Sequence, residues 1–160
     1  MAVNPAEKTP ELAQFTRPHE ISPDLRRELT DCWTAVTNAG GAVIAASFPL
    51  PPVSSRVVEP EVDQLVLELD PHRGRLLVAT VEDVLAGWLL LRRDQHPLVA
   101  HCGVVNHVQT HPRFRGRGIG AALMDRVAAV RPEARTGETY ARFTSLRAQI
   151  LNQSPEFRDC

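Results

Sequence analysis

Lysine is almost absent from this sequence. Lys8 stands alone against 17 arginines, and the formal net charge is −1 with a pI near 6.6. That balance excludes the broad basic surface on which phosphate-backbone binding depends, so nucleic acid is not an expected partner. With no lysine beyond Lys8, the nucleoside-triphosphate loop, which needs Gly-Lys-Ser/Thr, is excluded too. The arginine bias fits codon composition and carries no functional weight. Cysteine is scarce: Cys32, Cys102 and Cys160 are odd in number and widely spaced, which argues against a disulfide framework or a zinc site and suits a reducing cytoplasm. No apolar stretch approaches the ~20 residues of a membrane span, since the longest, near "GGAVIAASFPLPP", is broken by proline. The start, "MAVNPAEKTPELAQ", has neither the charged beginning nor the apolar core of a signal peptide. A cytoplasmic protein without a membrane partner is expected.

At 160 residues the chain has the length of one domain with a single core. Residues 23 to 39, "PDLRRELTDCWTAVTNA", place Leu25, Leu29, Cys32, Trp33 and Val36 at helical spacing, with Ser22 as N-cap and Gly40 as stop. Residues 40 to 60 read as an irregular connection, and "PEVDQLVLELDP" from Pro60 as a short helix closed by Asp70 and Pro71. "RLLVATV" and "VLAGWLLLRR", separated by Glu82 and Asp83, form an antiparallel hairpin, because so few residues cannot join parallel strands. The run at 101 to 111, "HCGVVNHVQTH", is apolar on mixed faces, as a strand covered on both sides would be. The pattern at 11 to 17 suits a further short strand. The class is α/β, more narrowly α+β.

"HPRFRGRGIGAALM", residues 111 to 124, then sets glycines at 116, 118 and 120 against the start of a helix carrying Ile119, Leu123, Val127 and Val130. Free amides of a first helical turn, reinforced by the helix dipole, point at whatever sits there, and missing Cβ atoms let a phosphate approach the backbone. Arg113, Arg115 and Arg117 add charge at the rim. The bland alternative is a turn whose glycines only permit tight packing. Gly116, Gly118 and Ala121 also satisfy the loose dinucleotide fingerprint Gly-x-Gly-x-x-Gly/Ala, but no convincing second parallel strand follows.

"VQTHPRFRGRGIGAALM" resembles the acetyl-CoA signature of the GNAT superfamily of N-acetyltransferases, Gln/Arg-x-x-Gly-x-Gly/Ala, at Arg115, Gly118 and Gly120. "RLLVATVEDVLAGWLLLRR" looks like that family's second and third strands, so the resemblance covers roughly residues 10 to 130. It implies a mixed, mostly antiparallel sheet flanked by helices and an acetyl-CoA cosubstrate. It also implies that backbone amides of Arg115, Gly116, Arg117, Gly118, Ile119, Gly120 and Ala121 cradle the pyrophosphate, while the strand at Val108 and Thr110 pairs with the pantetheine arm.

Moving an acetyl group from a thioester to an amine requires a neutral amine, a donor for the tetrahedral oxyanion and a proton for the departing thiolate. Strand amides near Val108 suit the second task. His107 is the best-placed general base, directly or through water, although a histidine on such a strand is also a common structural hydrogen-bonder. No metal is expected: His101 and His107 lie about 20 Å apart on an extended strand, and Cys102 faces the other way.

The last 30 residues contain no valine, whereas all 17 valines lie at or before Val130. "TYARFTSLRAQILNQ" has helical rather than strand character, so the family's C-terminal strands look missing or replaced by a helical tail. The family's thiolate-protonating tyrosine has only Tyr140 as a counterpart, and Tyr140 follows the motif helix closely. The expected division is an acetyl-CoA-binding N-acetyltransferase domain at 1 to 135 and an atypical tail at 136 to 160, truncated, frame-shifted or native. A working N-acetyltransferase acting on a small-molecule or protein amine, a catalytically impaired or regulatory acetyl-CoA-binding domain, and an interaction module without coenzyme all remain open. An edge strand without its neighbour also predicts a homodimer or cover by residues 138 to 151.

Overall fold

The structure is a computed structural model that describes residues 8 to 40, 50 to 93, 96, 98 and 103 to 129. The element order is β1 (Glu11–Phe15), α1 (Pro23–Asn38), α2 (Ser55–Leu67), β2 (Gly74–Val81), β3 (Val84–Arg93), β4 (Gly103–Thr110) and α3 (Ile119–Ala129). The strands form one antiparallel sheet in the order β1-β2-β3-β4. The tail at 136 to 160, with its expected helix and Tyr140, lies outside the described residues.

α1 begins where the sequence places it. Ser22 has extended backbone and its hydroxyl accepts the Leu25 N–H at 3.1 Å, while Pro23 occupies the position where a missing N–H is harmless. Leu29, Cys32, Trp33 and Val36 form its buried stripe. α2 starts earlier than expected. Ser54 stands at its N-cap and Ser55 opens it, so Pro60 lies inside the helix and the irregular connection is correspondingly shorter. The helix survives its proline because Pro60 and Arg56, whose carbonyl loses an N–H partner, are both exposed. Val58, Val62, Leu65 and Val66 supply the buried stripe that holds it.

β2 and β3 turn through Glu82 and Asp83 with φ of 53° and 63°, the left-handed pair that matches a two-residue turn to the strand twist. Both strands are buried on both faces, which explains their nearly continuous apolar runs. Leu76, Val78, Leu85, Trp88 and Leu90 pack under α1 and α2, and Leu77, Ala79, Ala86, Leu89 and Leu91 pack under α3 with Ile119, Leu123, Met124 and Val127. β4 corrects a further expectation: among the described residues it is not covered on both sides. It stands last in the described sheet, Val104 and His107 are exposed, and Gln109 is its only buried residue.

Candidate functional site

The glycine loop is built on the end of β4. The His111 N–H donates to the Ala86 carbonyl at 2.8 Å, which extends the sheet by one residue, and a 3₁₀ turn at Pro112–Phe114 follows. The Phe114 N–H returns to the His111 carbonyl at 2.8 Å, His111 Nδ1 accepts the Arg113 N–H at 3.1 Å, and the buried Phe114 ring anchors the turn in the core under α3. Gly116 and Gly118 have φ of 77° and 73°, a left-handed backbone that costs other residues strain. Gly118 then accepts the first helical bond, from Ala122 N–H at 2.9 Å. The amides of Ile119, Gly120 and Ala121 precede that bond and point out of the start of α3. Gly120 differs from its neighbours: its backbone is ordinary, and a Cβ there would lie 3.8 Å from Thr110 Oγ1. The end of β4 and the start of α3 thus form one corner.

Positive charge surrounds this corner. The guanidinium carbons of Arg113 and Arg117 lie 5.7 and 5.5 Å from the Phe114 ring centroid, and Arg115 extends into solvent. Glu82, across the β2–β3 turn, is held below the usual carboxylate range mainly by Lys8, with smaller contributions from Arg117 and Arg113. Burial, Arg113 and Arg115 together lower the His111 pKa, so its imidazole favours the neutral form that its Nδ1 hydrogen bond requires.

His107 sits at a β-bulge. Trp88 pairs with Gln109 and Leu90 with Asn106, which leaves Leu89 opposite both His107 and Val108. His107 takes up the irregularity with φ of 55°. Its ring packs against Trp33 of α1, with centroids 4.9 Å apart, and stacks near Trp88 at 5.8 Å, while the residue stays open to solvent on its other side. Burial against the indoles pushes its pKa below the ordinary histidine value; Arg92 adds to that, and Glu68 opposes it. Val108, by contrast, packs toward α3.

Of the residues read from the sequence, the structure gathers Thr110 and the segment from Arg115 to Ala121 at one corner, and sets His107 on the opposite face of the same strand. Tyr140, His101 and Cys102 fall outside the described residues. Among the described residues no three His, Cys, Asp or Glu side chains come together as a metal site, and no helix is long and apolar enough to cross a membrane. Sequence reasoning missed three groups. Trp33 and Trp88, an edge-on pair 5.4 Å apart, support His107. Arg92 and Glu68 form an ion pair that His107 senses. At Gly87 both β4 and α3 close on β3, where a Cβ would stand 2.6 Å from the Gln109 carbonyl oxygen and 2.7 Å from Ile119 Cγ2. A lone glycine inside an apolar run was the available signal for the last; the others join residues too far apart in sequence to leave one.

No curated protein matches the sequence. A family model described as KH_NucS_shadow, "NucS shadow ORF", matches residues 119–160, which begins at α3 and covers about a quarter of the chain. Solved structures match the fold. Ribosomal-protein-alanine N-acetyltransferase from Brucella melitensis biovar Abortus is 17% identical over 95% of this chain and 97% of its own, with a TM-score of 0.53. Integron cassette protein VCH_CASS6 from the mobile metagenome of V. cholerae is 14% identical over 93% and 87%, with a TM-score of 0.56. An aminoglycoside 6'-N-acetyltransferase complexed with coenzyme A is 16% identical over 74% of this chain, with a TM-score of 0.50, and this chain spans 53% of that enzyme's length. The chain has a GNAT-like fold, an α+β arrangement around an antiparallel sheet.

Proposed function

We propose that this protein binds acetyl-CoA and transfers its acetyl group to an amine. The observation that carries this reading is the corner where β4 meets α3, in which two left-handed glycines present the amides from Arg115 to Ala121 beside the end of β4. Peptide amides arranged in this way suit a pyrophosphate, and the rim arginines complement its charge. The strand at Val108 and Thr110 lies along the path the pantetheine arm takes from such a corner. His107, held neutral against two indoles, accepts the proton that the amine loses as its nitrogen bonds to the acetyl carbon. Backbone amides at the bulge, near Val108, are the donors for the oxyanion, and the proton is returned to the sulfur as the C–S bond breaks. A structural neighbour solved with coenzyme A supports the choice of cosubstrate.

A second reading is favoured by the shadow-frame match. If residues 119 to 160, the matched span, derive from a reading frame that overlaps another gene, that segment takes in α3 as well as the tail at 136 to 160, and the product is an impaired or regulatory acetyl-CoA-binding domain. Calorimetry with CoA, followed by thiol release from acetyl-CoA over a panel of amines, separates the two. Micromolar binding with turnover above ~1 per second supports transfer, binding without turnover supports the impaired domain, and no binding refutes both.

A further inference from the structure

Beside the glycine corner stands a group of charges that the amide cradle does not use. Val81, the last residue of β2, belongs to the same buried cluster as Phe114 and Ile119, which sets the turn at Glu82 and Asp83 next to the loop. Lys8, ahead of β1, donates to the Glu82 carboxylate, and both side chains are exposed. The ionised form of that carboxylate is favoured first by Lys8 and more weakly by Arg117 and Arg113. These two arginines are held in place. Their guanidinium carbons lie 5.5 and 5.7 Å from the centroid of the Phe114 ring, which is itself buried among the residues under α3. Among the described residues no carboxylate forms an ion pair with Arg113, Arg115 or Arg117. Lys8 and the three arginines thus outnumber Glu82 and Asp83 by two.

We propose that Lys8, Arg113 and Arg117 form a subsite for the 3′-phosphate of CoA, with Glu82 as the carboxylate that this phosphate displaces, so that the chain selects CoA over 3′-dephospho-CoA. The assignment rests on the acetyl-CoA reading and deepens it: peptide amides serve the diphosphate, and the surplus of positive side chains serves a second anion. A phosphate monoester carries about −1.5 to −2 at pH 7 and three acceptor oxygens, more than one carboxylate offers to three cations. Displacing Glu82 costs little, because its pair with Lys8 is solvated. The connectivity of the ligand also fits. Its 3′-phosphate and its diphosphate leave the same ribose a few bonds apart, and Arg117 lies between Gly116 and Gly118 of the loop that presents the amides.

The test titrates the full chain by calorimetry with CoA and with 3′-dephospho-CoA, in about 0.15 M salt so that only close contacts register. A single exposed ionic contact changes affinity by up to about five-fold, so several acting together should make CoA bind at least about five-fold more tightly. Lys8→Gln should lower that ratio by about two-fold or more, and Glu82→Gln, which removes the competing carboxylate, should raise it by a similar factor. Both positions are exposed, so neither substitution disturbs the core. A smaller ratio in the parent protein, or one that Lys8→Gln fails to lower or Glu82→Gln fails to raise by that much, overturns the subsite and leaves the acetyl-CoA reading standing. If neither compound binds, that reading falls and the subsite falls with it.

Discussion

Gly87→Ala tests whether the corner is set by the packing beneath it. A Cβ at Gly87 would stand 2.6 Å from the Gln109 carbonyl oxygen and 2.7 Å from Ile119 Cγ2. Reaching ordinary contact at 3.4 Å requires each to withdraw by about 0.7 to 0.8 Å. Neither yields easily, because the first is backbone of the adjacent strand and the second belongs to the opening residue of α3, which is buried. Overpacking of this kind costs about 1 to 3 kcal/mol, and two rigid obstacles place it near 3. For a chain of this size that corresponds to a fall in Tm of roughly 10 °C. Since Ile119 also starts the helix whose amides are proposed to hold the pyrophosphate, CoA affinity measured well below the new Tm should fall at least ten-fold. A Tm within about 2 °C of the parent protein would refute both the close approach and its link to the site.

Gly120→Ala adds only an ordinary 3.8 Å contact to Thr110 Oγ1, so a melting curve should show stability unchanged or raised by up to about 1 kcal/mol, while calorimetry shows weaker CoA binding. Gly118→Val has open space for its side chain but φ of 73°, so it should lose about 1 to 2 kcal/mol to backbone strain alone, read from urea unfolding. Asn38→Ala removes both bonds that hold the Val53 backbone, Nδ2 to its carbonyl at 3.0 Å and its N–H to Oδ1 at 2.7 Å, and should cost about 2 kcal/mol in the same assay. The pH-rate profile should have its acidic limb below the ordinary histidine value, and Arg92→Gln should move that limb upward; His107→Asn, which tolerates the left-handed backbone, should lower turnover by ~100-fold or more. Because folded His107 binds its proton less readily than the unfolded chain does, its contribution to stability is intact well above pH 6.5 and is lost as pH falls from there toward the lower folded value.

What was legible in the sequence was local. The Ser22 cap, the stripe from Leu29 to Val36 and the two-residue turn at Glu82 and Asp83 are each decided by residues a few positions apart, and the structure has all three. The glycine corner was legible for the same reason, since left-handed backbone at 116 and 118 and a helix starting at 119 are adjacent in the chain. The start of α2 was misplaced because Pro60 looks like a first-turn proline when the exposure of Arg56 and the burial of Val58 are unknown. The importance of Gly87 depends on where Gln109 and Ile119 come to rest, and the support of His107 depends on a tryptophan 74 positions earlier in sequence. Contacts of that range leave no periodicity to read.

β4 shows why a single inserted residue matters more than composition here. Side chains opposite one another across an antiparallel pair share a face, so Asn106 and Gln109 lie on the side of their partners Leu90 and Trp88, in the core under α1 and α2. Three positions separate them, and a regular strand would have set them on opposite faces. The bulge at His107 and Val108 absorbs the mismatch, which places Asn106, His107 and Gln109 toward the tryptophans and leaves Val105, Val108 and Thr110 toward α3 and the glycine loop. The sequence "VVNHVQT" looks mixed on both faces because it breaks alternation once. With that break located, its polar and apolar residues separate onto two faces of one strand, the first carrying His107, the proposed base, and the second continuous with the corner proposed to receive a phosphate.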